Sequence, residues 1–351
     1  MKNAKWKIGI WGQFGDGGQI ADGQAVKTTI IANEIKGRYN PENVKVLNTN
    51  NWKGNPISFF IKSIMLIVQS KKVIIFPADN GFKVIVPLLS IVNLFYKREV
   101  YYVVIGGFLF SLLQKNKIYI NPLKKFKAIF VETNTMKKDL ESLGIDNIYI
   151  LFNLKRLEKI NESDLKIENK KNISVCTFSR VSCTKGIEDA IEGVRITNQR
   201  LGDDFIQLDI YGMVNKNYEE KFKELLAKNQ EFVTYKGVVD YDKTVDTLRN
   251  YFALIFPTYF DGEGFPGSVI DSYYSGLPII ATNWLYNKDI IDDGFNGILV
   301  PIKKPEAISK AILKLYNDRE MAFRIAVNNV REAEKYTPSV VLEKLFMFLD
   351  K

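Results

Sequence analysis

In the stretch FDGEGFPGSVIDSYYSGLPIIATNW, Glu263 stands in a glycine-rich turn and Asp271 follows eight positions later. Gly262, Gly264 and Gly267 let a ligand approach the backbone closely. The preceding FALIFPT reads as a buried strand, and SVIDSYYSG as a short helix ending at Gly276, a residue suited to a helix C-terminus. The first N–H groups of such a helix lack internal partners and carry the positive end of its dipole, which suits an anion. A carboxylate at Glu263 can accept hydrogen bonds from sugar hydroxyls in the same space, and Asp271 lies about one turn into the helix. Glycines that merely turn the chain, with Asp271 in solvent, are the plainer alternative, but the full strand, turn and helix context favours a site. The ligand expected there is both phosphorylated and hydroxylated.

Two cations belong to the same chemistry. Arg180 ends the strand-like run ISVCTFS, and Lys185 opens the helix that follows. A phosphorylated ligand carries negative charge, which two cations and helix N-terminal amides can stabilise without a metal. The chain has no histidine, so Ser-His and Cys-His catalytic pairs and His-ligated metals are excluded. Asp, Glu, Lys or Tyr must supply any general base.

These residues need a scaffold, and the hydrophobic pattern supplies one. Short β-branched runs alternate with helical segments from WKIGIW to AIFVE, which specifies βαβ units and a parallel sheet. The helix after VIIFP is expected from Phe82 to Tyr96. The polar stretch Asn161–Asn172 interrupts the alternation, which restarts at ISVCTFS and runs through LPIIAT. The 351 residues thus divide into 1–165, 166–335 and a terminal helix, 336–351, that crosses back to the first domain. Two doubly wound α/β domains are expected, facing an interdomain cleft at the carboxyl ends of their sheets.

The motifs resemble those of the retaining glycosyltransferases of family 4, which have the GT-B fold. Glu263 stands as the first acid of their E-x7-E signature, with Asp271 where the second glutamate usually stands. FSRVSCTKGIEDAIEGV resembles the family's GR…KG element, and IYGMV, YKGVVDYDK, SGLPIIAT and DDGFNGILVP resemble its neighbouring segments. The resemblance implies retaining, metal-independent transfer of a sugar from a nucleoside diphosphate, UDP rather than GDP, to an acceptor hydroxyl, with no cofactor. It assigns Glu263, Arg180 and Lys185 to catalysis, and Gly17, Gly18, Gly212, Val238, Gly264, Phe265, Gly267 and Asp271 to the donor. Three departures stand out: Pro266 has no N–H, Asp271 is a methylene short, and YYVVIGGF ends in Ile105, Gly106 and Gly107 where the family commonly has a histidine.

The loop GQFGDGGQIADGQAVKT lacks both the third glycine of a dinucleotide fingerprint and the Lys-Ser/Thr of a P-loop. In the resembled family such a loop covers the diphosphate and acceptor. On the acceptor side stand Asp22, Asp79, Asn80 and Gly107, Asp79 also having the character of an ordinary turn or cap residue.

Residues 1–165 carry 24 Lys and Arg against 13 acids, and residues 166–351 carry 25 against 27. A basic first half suits phosphorylated ligands or an anionic membrane surface, and no nucleic-acid reading motif accompanies it. With that charge, the resemblance to family 4 implies a carbohydrate acceptor, lipid-linked, in bacterial surface polysaccharide assembly. No apolar run reaches the length of a span, and Cys176 and Cys183 do not form a disulfide framework. The protein is expected in the cytoplasm, peripheral at the inner face of the cell membrane. A non-catalytic glycosyltransferase-like subunit and a sugar-nucleotide 2-epimerase are the alternatives.

Overall fold

The computed structural model describes residues 4–15, 23–50, 52–166, 171–202 and 205–351. Gly17, Gly18 and Asp22, expected in the N-terminal glycine loop, lie outside the described residues. Contacts divide the chain into two compact units, Met1–Lys155 with Thr337–Lys351, and Arg156–Tyr336. The division falls ahead of the polar Asn161–Asn172 stretch because that stretch is anchored to the second unit. The Ile160 N–H donates to the Tyr274 carbonyl at 3.0 Å, and the Ile160 and Leu165 side chains lie against Gly276.

The first unit holds six parallel strands: β1 (Trp6–Gly12), β2 (Val44–Asn48), β3 (Ser70–Ile75), β4 (Glu99–Val103), β5 (Ala128–Val131) and β6 (Ile148–Ile150). Their order is β2-β1-β3-β4-β5-β6. The central strands are covered on both faces, so β5 reads as an unbroken apolar run rather than an alternation. The helices are α1 (Gly23–Tyr39), α2 (Pro56–Gln69), α3 (Asp79–Tyr96), α4 (Leu109–Lys115), α5 (Ile120–Lys124) and α6 (Asn134–Ser142). At the start of α2 the Asn55 side chain accepts the Ser58 N–H at 3.0 Å, and Pro56 takes the first helical position. Helix α3 begins a turn before Phe82, where its apolar run starts, because the Phe82 N–H already donates to the Ala78 carbonyl at 2.8 Å.

The second unit repeats the plan with β7 (Ile173–Phe178), β8 (Ile206–Tyr211), β9 (Val233–Gly237), β10 (Ala253–Phe256), β11 (Ile279–Thr282) and β12 (Ile298–Val300). All are parallel, in the order β12-β11-β10-β7-β8-β9. The helices are α7 (Ile187–Leu201), α8 (Glu219–Lys228), α9 (Thr244–Leu248), α10 (Gly267–Tyr274), α11 (Pro305–Asn317) and α12 (Arg319–Glu332). The core joins β7, β8 and β10 to α7 and α11 through Val175, Leu208, Ile255, Val194 and Ile312. The chain leaves β7 in one direction to β8 and β9, then returns to β10 on its other side. That reversal opens a crevice at the carboxyl ends of β7 and β10, where ligands bind in such sheets.

After α12 the chain returns to the first unit as α13 (Pro338–Val341) and α14 (Glu343–Leu349). Phe348 enters edge-on among Tyr101, Phe130 and Tyr149. Asp350 then accepts from Arg38 at 2.6 Å and from Tyr39 at 2.5 Å, both on α1.

Candidate functional site

At the crevice of the second unit the segments after β7 and β10 are tied together by backbone. Gly186 has φ 71°, and a Cβ there would lie 2.2 Å from the Pro257 carbonyl oxygen, so only glycine permits this approach. The Tyr259 N–H donates to the Thr184 carbonyl at 2.9 Å. This contact brings Lys185, in the short turn Cys183–Lys185, against the glycine-rich turn that carries Glu263.

Lys185 Nζ donates to Glu263 Oε2 at 2.5 Å. The Thr258 hydroxyl donates to the same oxygen at 2.8 Å, and no described residue donates to Oε1. The Lys185 ammonium also lies 5.1 Å and 5.7 Å from the ring centres of Phe260 and Phe256, within cation–π range. Thr258 is fixed in turn by the Thr282 hydroxyl, which donates to its carbonyl. The Trp284 indole N–H donates to the Phe260 carbonyl at 3.0 Å, holding the turn from outside. Glu263 is 8 % exposed, so its carboxylate is nearly dry and strongly oriented.

The segments after β7, β8 and β9 close on one another beside this pair. Gly212, at φ 130°, presses so tightly on Ser179 that a Cβ would come within 1.9 Å of its carbonyl oxygen. The Gly212 N–H donates to the Gly237 carbonyl at 2.8 Å, which brings Val238 to the same sheet edge, half exposed. Arg180, next to Ser179, is exposed, and no described side chain pairs with its guanidinium. Two cations thus differ in state: Lys185 is held by a carboxylate, and Arg180 is open to solvent.

Beyond Glu263, Gly264, Phe265 and Pro266 are buried, and α10 starts at Gly267. The helix ends at Tyr274, two residues before the expected Gly276, which has φ 61° and turns the chain; its N–H and that of Leu277 donate to the Tyr273 and Ser272 carbonyls at 3.1 Å and 2.9 Å. Asp271 is buried at 2 % exposure, well inside the unit rather than in solvent. Burial, with the Asp271 charge as a further contributor, raises the Tyr241 and Tyr274 phenols above their ordinary range. Both phenols therefore stay neutral beside it. Near Lys185, the exposed Cys183 thiol lies 3.3 Å from the Tyr259 hydroxyl.

The first unit places its candidates separately. Asp79 and Asn80 are exposed in the first turn of α3, and Asp79 forms an ion pair with Lys83 at 2.9 Å, an i,i+4 contact on the helix surface. Gly107 is half-buried between β4 and α4, after Gly106 at φ 76°. Sequence reasoning missed the Lys27–Glu132 pair, 2.5 Å apart with both side chains buried, between α1 and the end of β5. It also missed Thr258, whose signal is a hydroxyl at the end of an otherwise apolar strand.

The two Rossmann-like units, each built on a six-stranded parallel sheet, have the GT-B fold. Residues 158–332 match the family described as Glycosyl transferases group 1. It is 28% identical over 240 residues to an uncharacterized glycosyltransferase of Methanocaldococcus jannaschii, covering 66% of this chain and 58% of the relative. It is 26% identical over 198 residues to the capsular polysaccharide biosynthesis glycosyltransferase CapM of Staphylococcus aureus, covering 54% and 50%. The chain thus spans about half the length of these relatives. In fold it is similar to Anabaena HepE solved in complex with UDP, with a TM-score of 0.76, 14% identity and coverage of 98% and 99%.

Proposed function

We propose that the protein is a retaining, metal-independent glycosyltransferase that moves a sugar from a UDP-sugar to an acceptor hydroxyl. The observation that carries this reading is the Lys185–Glu263 pair at the switch point of the sheet in the segment that matches the group 1 family. Thr258 and Lys185 both occupy Glu263 Oε2, which leaves Oε1 for a hydroxyl of the donor sugar. Arg180 and Lys185 neutralise the diphosphate, assisted by the first amides of α10, and Asp271 receives the ribose. Gly212 and Val238 line the nucleotide end, with Gly264, Phe265 and Gly267 nearer the sugar and phosphate.

In the reaction the acceptor oxygen bonds to the anomeric carbon as the bond from that carbon to the phosphate oxygen breaks. The acceptor proton passes to the departing phosphate on the same face, so configuration is retained. The choice of UDP is supported by the fold likeness to HepE, which was solved with UDP. The likeness to CapM supports an acceptor in surface polysaccharide assembly, and the basic first half supports one linked to a phosphate-bearing lipid at the inner face of a membrane. The polar ends of the first sheet, with Asp79, Asn80 and Gly107, receive that acceptor.

The test is a thermal-shift and calorimetric screen against UDP, GDP, ADP and CMP and their sugars, in EDTA. UDP is expected to stabilise the wild type, and Arg180→Ala to abolish the shift. A chain that ignores every nucleotide with or without magnesium would sink the proposal.

A further inference from the structure

Helices α2 and α3 run side by side over the first sheet, and each has two apolar sides. The inner side of α2 buries Leu66 and Ile67, as expected of a helix on a sheet. Its outer side carries Ile57, Phe60, Ile61 and Met65, at a spacing that forms one stripe, and all four are exposed, Ile57 to 76 %. On α3, Ile91, Leu94 and Phe95 form a second exposed stripe, with Phe95 at 80 %. Two adjacent helices that both face large aliphatic and aromatic groups to water mark a surface that meets something apolar.

The charges around the stripes decide what that is. Residues 51–131 contain twelve Lys or Arg and two acids, Asp79 and Glu99. Asp79 is already paired with Lys83, and Glu99 lies within ion-pair distance of Lys72 and Lys127. Lys62, on the outer side of α2, and Lys97, just after α3, are exposed beside the stripes. A second copy of this chain seated on the face would set the same basic set against itself, which opposes self-association. An anionic lipid surface offers both what the stripes lack and what the lysines seek. No helix among the described residues is long and apolar enough to cross a membrane, so the contact lies along the surface.

We infer that the outer face of α2 and α3 rests on an anionic bilayer, with Phe60, Ile61, Leu94 and Phe95 entering the headgroup boundary and Lys62 and Lys97 binding lipid phosphates. The inference deepens the proposed function by naming the surface that would bring the unit to a lipid-linked acceptor, but lipid binding is measurable without donor or acceptor.

The experiment is flotation of the full chain with vesicles of phosphatidylcholine alone or mixed with phosphatidylglycerol. The wild type is expected to float with the mixed vesicles, less so as salt rises. Phe60→Ser/Phe95→Ser is expected to lower partitioning at least tenfold, and Lys62→Gln and Lys97→Gln roughly fivefold each. All these positions are exposed, and an unchanged UDP thermal shift and circular dichroism confirm folding. Wild type that stays in the unbound fraction overturns the inference. So does equal binding by the variants, or a concentration-dependent dimer that the Phe60→Ser/Phe95→Ser change dissolves. A chain that floats but ignores UDP would sink the transferase reading and leave this one standing.

Discussion

Lys185 and Glu263, 78 positions apart in sequence, meet as an ion pair of 2.5 Å with their side chains 14% and 10% exposed. Each is the other's counter-charge in a nearly dry setting. Removing one strands the other, so Glu263→Ala and Lys185→Ala are each expected to cost about 3 kcal/mol of stability. The double variant should cost clearly less than the sum, with a coupling of about 1–3 kcal/mol. Sugar transfer should fall about 100-fold or more in every variant. Chemical denaturation of the four proteins checks the coupling, and additive losses would mean that the pair is not formed in solution.

Gly186 and Gly294 separate strain from collision. Both have positive φ, but a Cβ on Gly294 would meet nothing within 4 Å, whereas one on Gly186 would strike Pro257. Gly294→Ala is expected to cost about 1–2 kcal/mol, the ordinary left-handed penalty. Gly186→Ala should cost measurably more, and should also weaken the UDP-induced thermal shift because the two site segments are pushed apart. Equal losses in the two variants would contradict the close approach.

Lys27 and Glu132 provide a comparison in the first unit, where both side chains are 2–3% exposed. Lys27→Met leaves a buried carboxylate facing an apolar group and is expected to destabilise by about 3–5 kcal/mol. Adding Glu132→Gln removes the buried negative charge and should recover part of that loss. Thermal denaturation of the single and double variants measures the recovery.

Asp350 gives an acid-sensitive anchor. Hydrogen bonds from Arg38 and then Tyr39 hold its carboxyl below the usual range, with a smaller contribution from the Lys7 charge. A carboxylate with a depressed folded pKa contributes stability above its unfolded value, near pH 4, and loses it as pH falls through the lower folded value. Amide exchange across α14 should therefore quicken below about pH 4 in the wild type. Asp350→Asn should already show the faster exchange at pH 7 and flatten the acid dependence.

The two sheets were legible because their strands are short β-branched runs between clear helices, ISVCTFS and FALIFPT being examples. The acids and cations of the second unit were legible as chemistry at strand ends, but not their pairing. Nothing in the spacing of Lys185 and Glu263 says that they meet, because the meeting depends on Gly186 lying against Pro257. Lys27 was invisible for a related reason: a lysine on a helix reads as solvent-facing until a distant glutamate is found beneath it. Asp79 was legible as a strand-end acid, and its surface pairing with Lys83 followed only from where α3 begins. The three-residue strands β6 and β12 are too short for any periodicity to announce them.

The seating of Phe348 among Tyr101, Phe130 and Tyr149 has a consequence for synthesis. Because Thr337–Lys351 belongs to the first unit, a ribosome finishes every residue of Arg156–Tyr336 before it delivers the ring that fills that slot. The first unit is thus begun before the second and completed after it, and a nascent chain carries a finished second unit while the first still shows an open aromatic seat. Damage to α13 and α14 is therefore borne by the first unit, although the second precedes them directly in sequence.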